Sequence, residues 1–68
     1  MNARRLAGTF RELRRQSGKT PKQIHAETGV NVYAVETRRK FGPTFLTVVR
    51  LAKAYGASLD EIAKRAMQ

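Results

Sequence analysis

Signals that end one α-helix and start the next recur at short intervals along this sequence. Glycines, which favour the left-handed backbone of a helix end, stand at three of the breaks: Gly18, Gly29 and Gly56. Residues that can cap the start of a helix follow these breaks and the Gly42-Pro43 break: Thr20, Asn31, Thr44 and Ser58. The segments 20–23 and 58–61 both have the pattern of a capping box, in which two residues satisfy each other's backbone amides. The sequence therefore predicts several short helices.

Apolar residues between these signals are spaced three and four apart, as on one face of a helix. The predicted helices run from Ala3 to about Gln16, from Pro21 to about Thr28, from Val32 to about Arg39, from Phe45 to Tyr55, and from Leu59 onward. The residues predicted to face inward are Leu6, Phe10, Leu13, Ile24, Val30, Val35, Phe45, Val48, Val49, Ala52, Tyr55, Leu59, Ile62, Ala63 and Ala66. No segment alternates with the period of two that a strand requires. We predict an all-α fold, one compact five-helix domain over residues 1–68.

Length and composition argue against several classes of function. A chain of 68 residues buries only about 60% of its unfolded surface, which leaves little depth for an enclosed catalytic pocket. With no cysteine and one histidine, we expect no disulfide, no metal site, no nucleophile constellation and no cofactor. No apolar run approaches the roughly 18 residues of a membrane span, and the N-terminal residues lack a signal-peptide pattern. We therefore expect a cytoplasmic protein that is not an enzyme and does not bind a membrane.

Positive charge is concentrated in two parts of the sequence. The formal net charge is +9 at pH 7, of which residues 1–22 carry +6 and residues 38–56 carry +5. Residues 23–37 carry −2, and residues 57–68 carry no net charge. An excess this large on so small a domain is more than solubility needs, and it favours a polyanionic partner. The neutral segment is a candidate surface for a protein partner.

The two short helices on either side of the Gly29 break suggest a DNA-binding motif. A short helix joined by a tight glycine turn to the next is typical of a helix-turn-helix, whose second helix enters the major groove of DNA. The side chains predicted to contact bases from this helix are Asn31, Val32, Tyr33, Glu36 and Thr37. Thr37 can hydrogen-bond to base edges, Val32 can touch a thymine methyl group, and Glu36 can accept from a cytosine amino group. Glu36 could equally pair with Arg39 or Lys40 along the helix.

Cationic and polar residues around this motif are predicted to bind phosphates. They are Arg14, Arg15, Lys19, Thr20, Lys22, Gln23, Arg39 and Lys40. Arg4 and Arg5 would support them from the start of the first helix. Contacts of this kind fix the register of a protein on DNA, whereas base contacts determine its sequence preference.

Further blocks of sequence extend the pattern over nearly the whole chain. The blocks are Leu13–Gly18, Thr20–Ile24, Thr28–Val30, Val35, Pro43–Thr44 and Leu51–Glu61. Together they resemble the phage-repressor/Cro type, or XRE, family of helix-turn-helix DNA-binding proteins. The resemblance implies a regulator, and more specifically a repressor, that binds palindromic operators in duplex DNA as a homodimer. It also implies a bacterial or phage-infected cell and a place at the nucleoid.

The resemblance places base contacts at Val32, Tyr33 and Thr37, and a base or phosphate contact at Asn31. The chain departs from the family pattern at Pro21, where a contacting polar residue is usual, at His25, where a small residue is usual, and at Thr28, where a leucine is usual. The link from Val35 to Pro43 is two residues short, which puts Arg39 where the family has an acidic residue. The usual brace from that residue to a first-helix arginine is therefore not expected, and Arg14 is expected to face phosphate.

The last predicted helix offers a candidate dimer face made of Leu59, Ile62, Ala66 and Met67. The same apolar residues could instead belong to the core of one subunit. Two other functions remain open: an antitoxin-type protein that binds DNA and a protein partner, and a winged-helix relative. The winged-helix alternative requires a β-wing, for which residues 41–68 have no strand pattern.

Overall fold

The described part of the chain consists of five α-helices without a strand. The computed structural model of the protein describes residues 3–37 and 43–67. The helices are α1 Ala3–Ser17, α2 Pro21–Thr28, α3 Val32–Thr37, α4 Phe45–Tyr55 and α5 Leu59–Ala66. The prediction of an all-α, five-helix fold is therefore confirmed, whereas the predicted continuation of α3 to Arg39 lies outside the described residues. Within the described ranges, no helix is both long and apolar enough to cross a membrane.

Side-chain caps determine where the helices begin. The Thr20 hydroxyl accepts a hydrogen bond from the Gln23 N–H at 3.2 Å, and the Gln23 side-chain oxygen accepts one from the Thr20 N–H at 2.8 Å. This is the predicted capping box, with Pro21 as the first residue of α2. Thr44 caps α4 in a simpler way, by accepting from the Thr47 N–H at 3.3 Å.

The second predicted capping box forms only in part. The Ser58 hydroxyl accepts from the Glu61 N–H at 3.0 Å, as expected for the cap of α5. The Glu61 carboxylate, however, accepts a hydrogen bond from the Arg65 side chain at 2.9 Å, one turn further along the helix. A charged partner on the same face is therefore favoured over the backbone amide of the cap.

Helix α1 is the centre of the packing and contacts α3, α4 and α5, while α2 packs against α3 and α4. The core consists of Leu6, Phe10, Leu13, Ile24, Val30, Val32, Val35, Leu51, Ala52, Ile62 and Ala66, with Val48, Tyr55 and Ala57 packed at its edge. The Phe10 and Tyr55 rings lie 6.5 Å apart, within the range of a tilted aromatic pair. The apolar residues of α3, α4 and α5 thus meet the inner face of α1, and Ile24 of α2 completes the core.

Two residues predicted to face inward lie on the surface instead. Phe45 is 74% exposed and Leu59 is 41% exposed, while Leu51, which the predicted stripe of α4 omitted, is fully buried. Phe45 and Leu59 are the first residues of α4 and α5. They are therefore at the edge of the region where these helices contact α1, and the core residues lie one turn or more further along.

Candidate nucleic-acid interface

A short turn with satisfied backbone groups joins α2 to α3. Gly29 adopts the left-handed conformation with φ 73°, and its N–H donates to the His25 carbonyl at 2.8 Å. The Thr28 hydroxyl donates to the Ile24 carbonyl at 2.7 Å and accepts from the Val30 N–H at 3.1 Å. Thr28, where the family pattern has a leucine, thus contributes hydrogen bonds to the end of α2 and to the turn.

The face of α3 that carries Val32, Val35 and Glu36 is turned towards the core. Val32 is 2% exposed and Glu36 is 5% exposed. The prediction that these two side chains face outward to contact bases is therefore wrong. Positions 35 and 36 lie three and four residues after position 32, so all three side chains share one side of a helix. Because Val35 faces the core, Val32 and Glu36 face it as well.

Glu36 is bound to α1 by two arginines. Arg14 donates from Nε to Glu36 Oε2 at 2.7 Å and from Nη2 to Oε1 at 3.1 Å, which is a bidentate ion pair. Arg11 donates to the Glu36 backbone carbonyl at 3.3 Å and lies 3.8 Å from its carboxylate. The hydrogen bond with Glu36 raises the pKa of Arg14 above its ordinary value.

These contacts correct two predictions made from the sequence. Arg14 was expected to face phosphate, but its side chain is 18% exposed and its guanidinium is already bound to a carboxylate. A brace between α1 and an acidic residue of α3 was not expected, yet Glu36 forms one.

Tyr55 lies close to this ion pair at the end of α4. Its hydroxyl is buried and has no hydrogen-bond partner within the described part of the chain. Burial raises the pKa of Tyr55 to about 12, and the negative charge of Glu36 adds to the rise, while Arg14 opposes it. The hydroxyl therefore stays neutral at physiological pH and contributes no charge to the surface.

The opposite face of α3 is exposed and carries Asn31, Tyr33 and Thr37. Tyr33 is 74% exposed. The Asn31 side-chain oxygen accepts from the Ala34 N–H at 3.1 Å, which makes Asn31 the predicted cap of α3. The Thr37 hydroxyl donates to the Tyr33 carbonyl at 2.8 Å, so it can offer an outside group only its acceptor lone pairs.

Two side chains of α2 extend this exposed surface. Lys22 and His25 line a shallow depression of about 320 Å³ together with Pro21, Asn31 and Tyr33. His25 is not among the residues that the sequence predicts to contact DNA. Its spacing of three from Lys22, off the side that carries the buried Ile24, indicates only that it lies on the exposed side of α2. Side chains of α2 and α3 thus line one shared depression, and the aromatic ring of Tyr33 is part of it.

The remaining residues predicted to bind phosphate differ in their exposure and in the intramolecular contacts of their side chains. Thr20 and Gln23 are engaged in the capping box, and the Lys19 ammonium is 2.9 Å from a Glu27 carboxylate oxygen. Arg15 and Lys22 are exposed. Arg39 and Lys40 lie outside the described residues, so their predicted role stays a prediction.

Part of the predicted dimer face on α5 is buried. Ile62 is 2% exposed and Ala66 is fully buried, so both belong to the core of the subunit. This part of the prediction is wrong, and the alternative of an intramolecular role holds for these two residues. Leu59 and Met67 remain accessible, with 41% and 70% exposure.

Comparisons of the chain with protein-family models, with curated proteins and with solved structures give no match.

Proposed function

We propose that this protein is a sequence-specific DNA-binding regulator of transcription, acting as a repressor, in which α2 and α3 form a helix-turn-helix. Helix α3 lies in the major groove of duplex DNA and α2 crosses the backbone beside it. The observation that carries the proposal is the division of α3 into two faces. Val32, Val35 and Glu36 anchor the helix, while Tyr33 and Thr37 stand exposed on its other side.

The proposed base contacts come from the exposed face of α3. Tyr33 and Thr37 are one helical turn apart, which corresponds to about 6 Å along the axis, or roughly two base-pair steps of about 3.4 Å. Tyr33 offers an aromatic edge to a thymine methyl group and a hydroxyl to a base edge. Thr37 accepts from an exocyclic amine, and the Asn31 amide donates to a base or phosphate. Val32 and Glu36 position the helix and contact no base.

Phosphate contacts would come from the cations that flank α3. Arg15 and Lys22 are exposed, and Lys19 shares its charge with Glu27 only in a surface pair, which contributes little and exchanges partners readily. Arg39 and Lys40, which follow α3 in the sequence, would add further phosphate contacts. Because two or three direct base contacts give modest specificity, we propose that two copies bind a palindromic operator, with their recognition helices roughly 34 Å apart.

Selection of binding sites from random duplex DNA tests the proposal. We expect enrichment of a short motif repeated with two-fold symmetry. A library that shows no enrichment over several rounds, at low salt, would contradict sequence-specific binding.

The role of Tyr33 can then be measured on the selected site. Tyr33→Ala should weaken binding to that site by about 1–3 kcal/mol and should weaken binding to unrelated DNA much less. Met67→Ala is the matched control, since Met67 is 70% exposed and α5 has no extensive contact with α2 or α3. Equal losses on both DNAs would assign Tyr33 to the positioning of the protein.

A further inference from the structure

A groove lies between the C-terminal end of α2 and the C-terminal half of α4, and we call it the α2–α4 groove. It has a volume of about 510 Å³ and is lined by Glu27, Thr28, Arg50, Lys53 and Ala54. None of these residues lines the depression that contains Tyr33. The groove is therefore separate from that depression.

The α2–α4 groove faces away from the surface proposed to bind DNA. Successive residues of a helix are turned by about 100°, so Glu27 and His25, two positions apart, point about 160° away from each other around α2. His25 lines the depression that contains Lys22 and Tyr33, whereas Glu27 lines the groove. A straight duplex that lies on the first of these surfaces therefore leaves the second one open.

Two cations of the groove have no partner within the described part of the chain. Arg50 and Lys53 are exposed, and neither forms an ion pair or a side-chain hydrogen bond there. The carboxylate in the groove, that of Glu27, is paired with Lys19 at 2.9 Å instead. Two further acidic side chains of the chain are bound to arginines elsewhere. Arg50 and Lys53 are thus available to the anionic groups of another molecule.

The spacing of these two cations matches the spacing of acidic residues on a helix. Arg50 and Lys53 are three positions apart on α4, so their Cβ atoms lie about 5–6 Å apart on neighbouring parts of the helix surface. Glutamates or aspartates three or four positions apart on a second helix have the same separation. Ala54, beside them, is only partly buried. Its single methyl group lets a second helix approach α4 closely, because the distance between packed helices depends on the side chains at the contact.

The carboxylate of Glu27 favours a protein segment over nucleic acid in this groove. A nucleic-acid backbone carries a phosphate at every nucleotide, so it would bring negative charge to Glu27 as well as to the cations. A protein segment can place acidic side chains on Arg50 and Lys53 and an uncharged or basic side chain on Glu27. The mixed charge of the groove therefore matches a peptide better than a uniform polyanion.

We propose that the α2–α4 groove binds an acidic helical segment of a partner protein, with carboxylates of that segment on Arg50 and Lys53. The proposal adds a second binding surface to the one proposed for DNA, and it does not rest on DNA binding. A protein with both surfaces holds DNA and the partner at the same time. Because exposed ion pairs contribute little each and are screened by salt, we expect weak binding of the isolated segment that weakens further as salt is added.

Titration of the isotope-labelled full chain with a defined peptide, followed by NMR, tests this. The probe is a blocked, alanine-rich peptide of about 16 residues, long enough to be partly helical, with glutamates three and four positions apart on one face. We expect the largest chemical-shift changes at Arg50, Lys53 and Ala54, and much smaller ones at Lys22 and Tyr33. The same peptide with glutamine in place of each glutamate is the control and should cause no such changes.

Two variants with the same change of charge distinguish the groove from the net charge of the protein. Lys53→Gln should raise the dissociation constant of the peptide about two- to fivefold, as loss of an exposed ion pair does. Lys64→Gln, on the exposed side of α5, should leave the constant nearly unchanged. Lys53→Glu should improve binding of a peptide in which one glutamate is replaced by lysine. Arg50 also lines a depression beside Asn31, so Lys53 is the cleaner position for these tests.

The proposal is overturned if the shift changes centre on the α2–α3 surface, or if Lys53→Gln and Lys64→Gln weaken peptide binding equally. Duplex DNA provides the last comparison, with the site selected from the random library. Lys53→Gln should leave the affinity for that site unchanged, and a loss as large as that of Lys22→Gln would assign the groove to DNA instead. If no DNA site is selected, the proposed regulator fails, while the peptide titration still decides the fate of the groove.

Discussion

Glu36 holds the proposed recognition helix to the rest of the molecule. Its carboxylate receives two hydrogen bonds from Arg14, and its backbone carbonyl receives one from Arg11, so α3 is attached to α1 at both a side-chain and a main-chain group. A carboxylate pointing at DNA would repel phosphate. Because Glu36 is buried against Arg11 and Arg14, it instead holds α3 in an orientation in which Tyr33 projects outward.

Removal of the Glu36 carboxylate should destabilise the fold markedly. We expect Glu36→Ala to lower the free energy of unfolding by about 3 kcal/mol, because it leaves the half-buried Arg14 guanidinium without its counter-charge. Urea denaturation followed by circular dichroism measures the change. Glu36→Gln, which keeps an acceptor oxygen, should lose less.

The surface pair between Lys19 and Glu27 is the matched control for this prediction. Its two side chains are 36% and 46% exposed, so Glu27→Ala should change the free energy of unfolding by no more than about 0.5 kcal/mol. If Glu36→Ala costs no more than Glu27→Ala, then Glu36 does not anchor α3 and apolar packing alone holds the helix.

Among the elements, helix boundaries were predictable and helix faces were less so. Thr20, Thr44 and Ser58 cap their helices as predicted, because a cap depends on residues within one turn of each other. Val35 was assigned to the inner face of α3 correctly, but Val32 and Glu36 were assigned to the wrong face, because six residues make fewer than two turns, too few to define an apolar stripe. The brace of Glu36 to Arg14 spans 22 residues, a distance at which local patterns carry no information.

The same limit explains what was missed at the candidate interface. Tyr33 and Thr37 were assigned to the outer face correctly, since both lie off the Val35 side of α3. His25 was missed because its place beside Tyr33 depends on the angle between α2 and α3. That angle follows from the left-handed turn at Gly29 and from the packing of Val30 and Val32, and neither can be predicted from the spacing of residues on one helix.

Substitution of glycine by alanine should have opposite effects on stability in the turn between α2 and α3 and within α1. Gly29→Ala should destabilise the protein by about 1–2 kcal/mol, because alanine in the left-handed conformation brings its Cβ too near a carbonyl oxygen. Gly8→Ala, within α1, should instead stabilise it by about 0.5–1 kcal/mol, since alanine loses less backbone entropy in a helix. An added Cβ meets no atom within 4 Å at either position, so steric contact with other residues does not enter the comparison.

Thermal unfolding of the two variants beside the unchanged protein measures both effects. Opposite shifts of the melting temperature are expected. A stabilising effect of Gly29→Ala would mean that the turn can leave its left-handed conformation at little cost, and the orientation of α3 would then not depend on it.

At the scale of the whole molecule, charge is distributed by function in the proposed arrangement. The basic segments 1–22 and 38–56 lie on either side of α3 in the sequence, while α5 is neutral. In the proposed arrangement, the two basic segments supply the cations that contact phosphate, whereas α5 adds no net charge to the molecule.

The salt dependence of DNA binding tests this division. If about five cations per subunit contact phosphates, the logarithm of the binding constant should fall against the logarithm of the salt concentration with a slope of about −4 to −5 per subunit. Lys22→Gln should make the slope shallower by about 0.9, because it removes one phosphate contact beside α3. Lys64→Gln removes the same charge from α5 and should leave the slope unchanged. Equal effects of the two variants would mean that the net charge attracts DNA without a defined cationic surface.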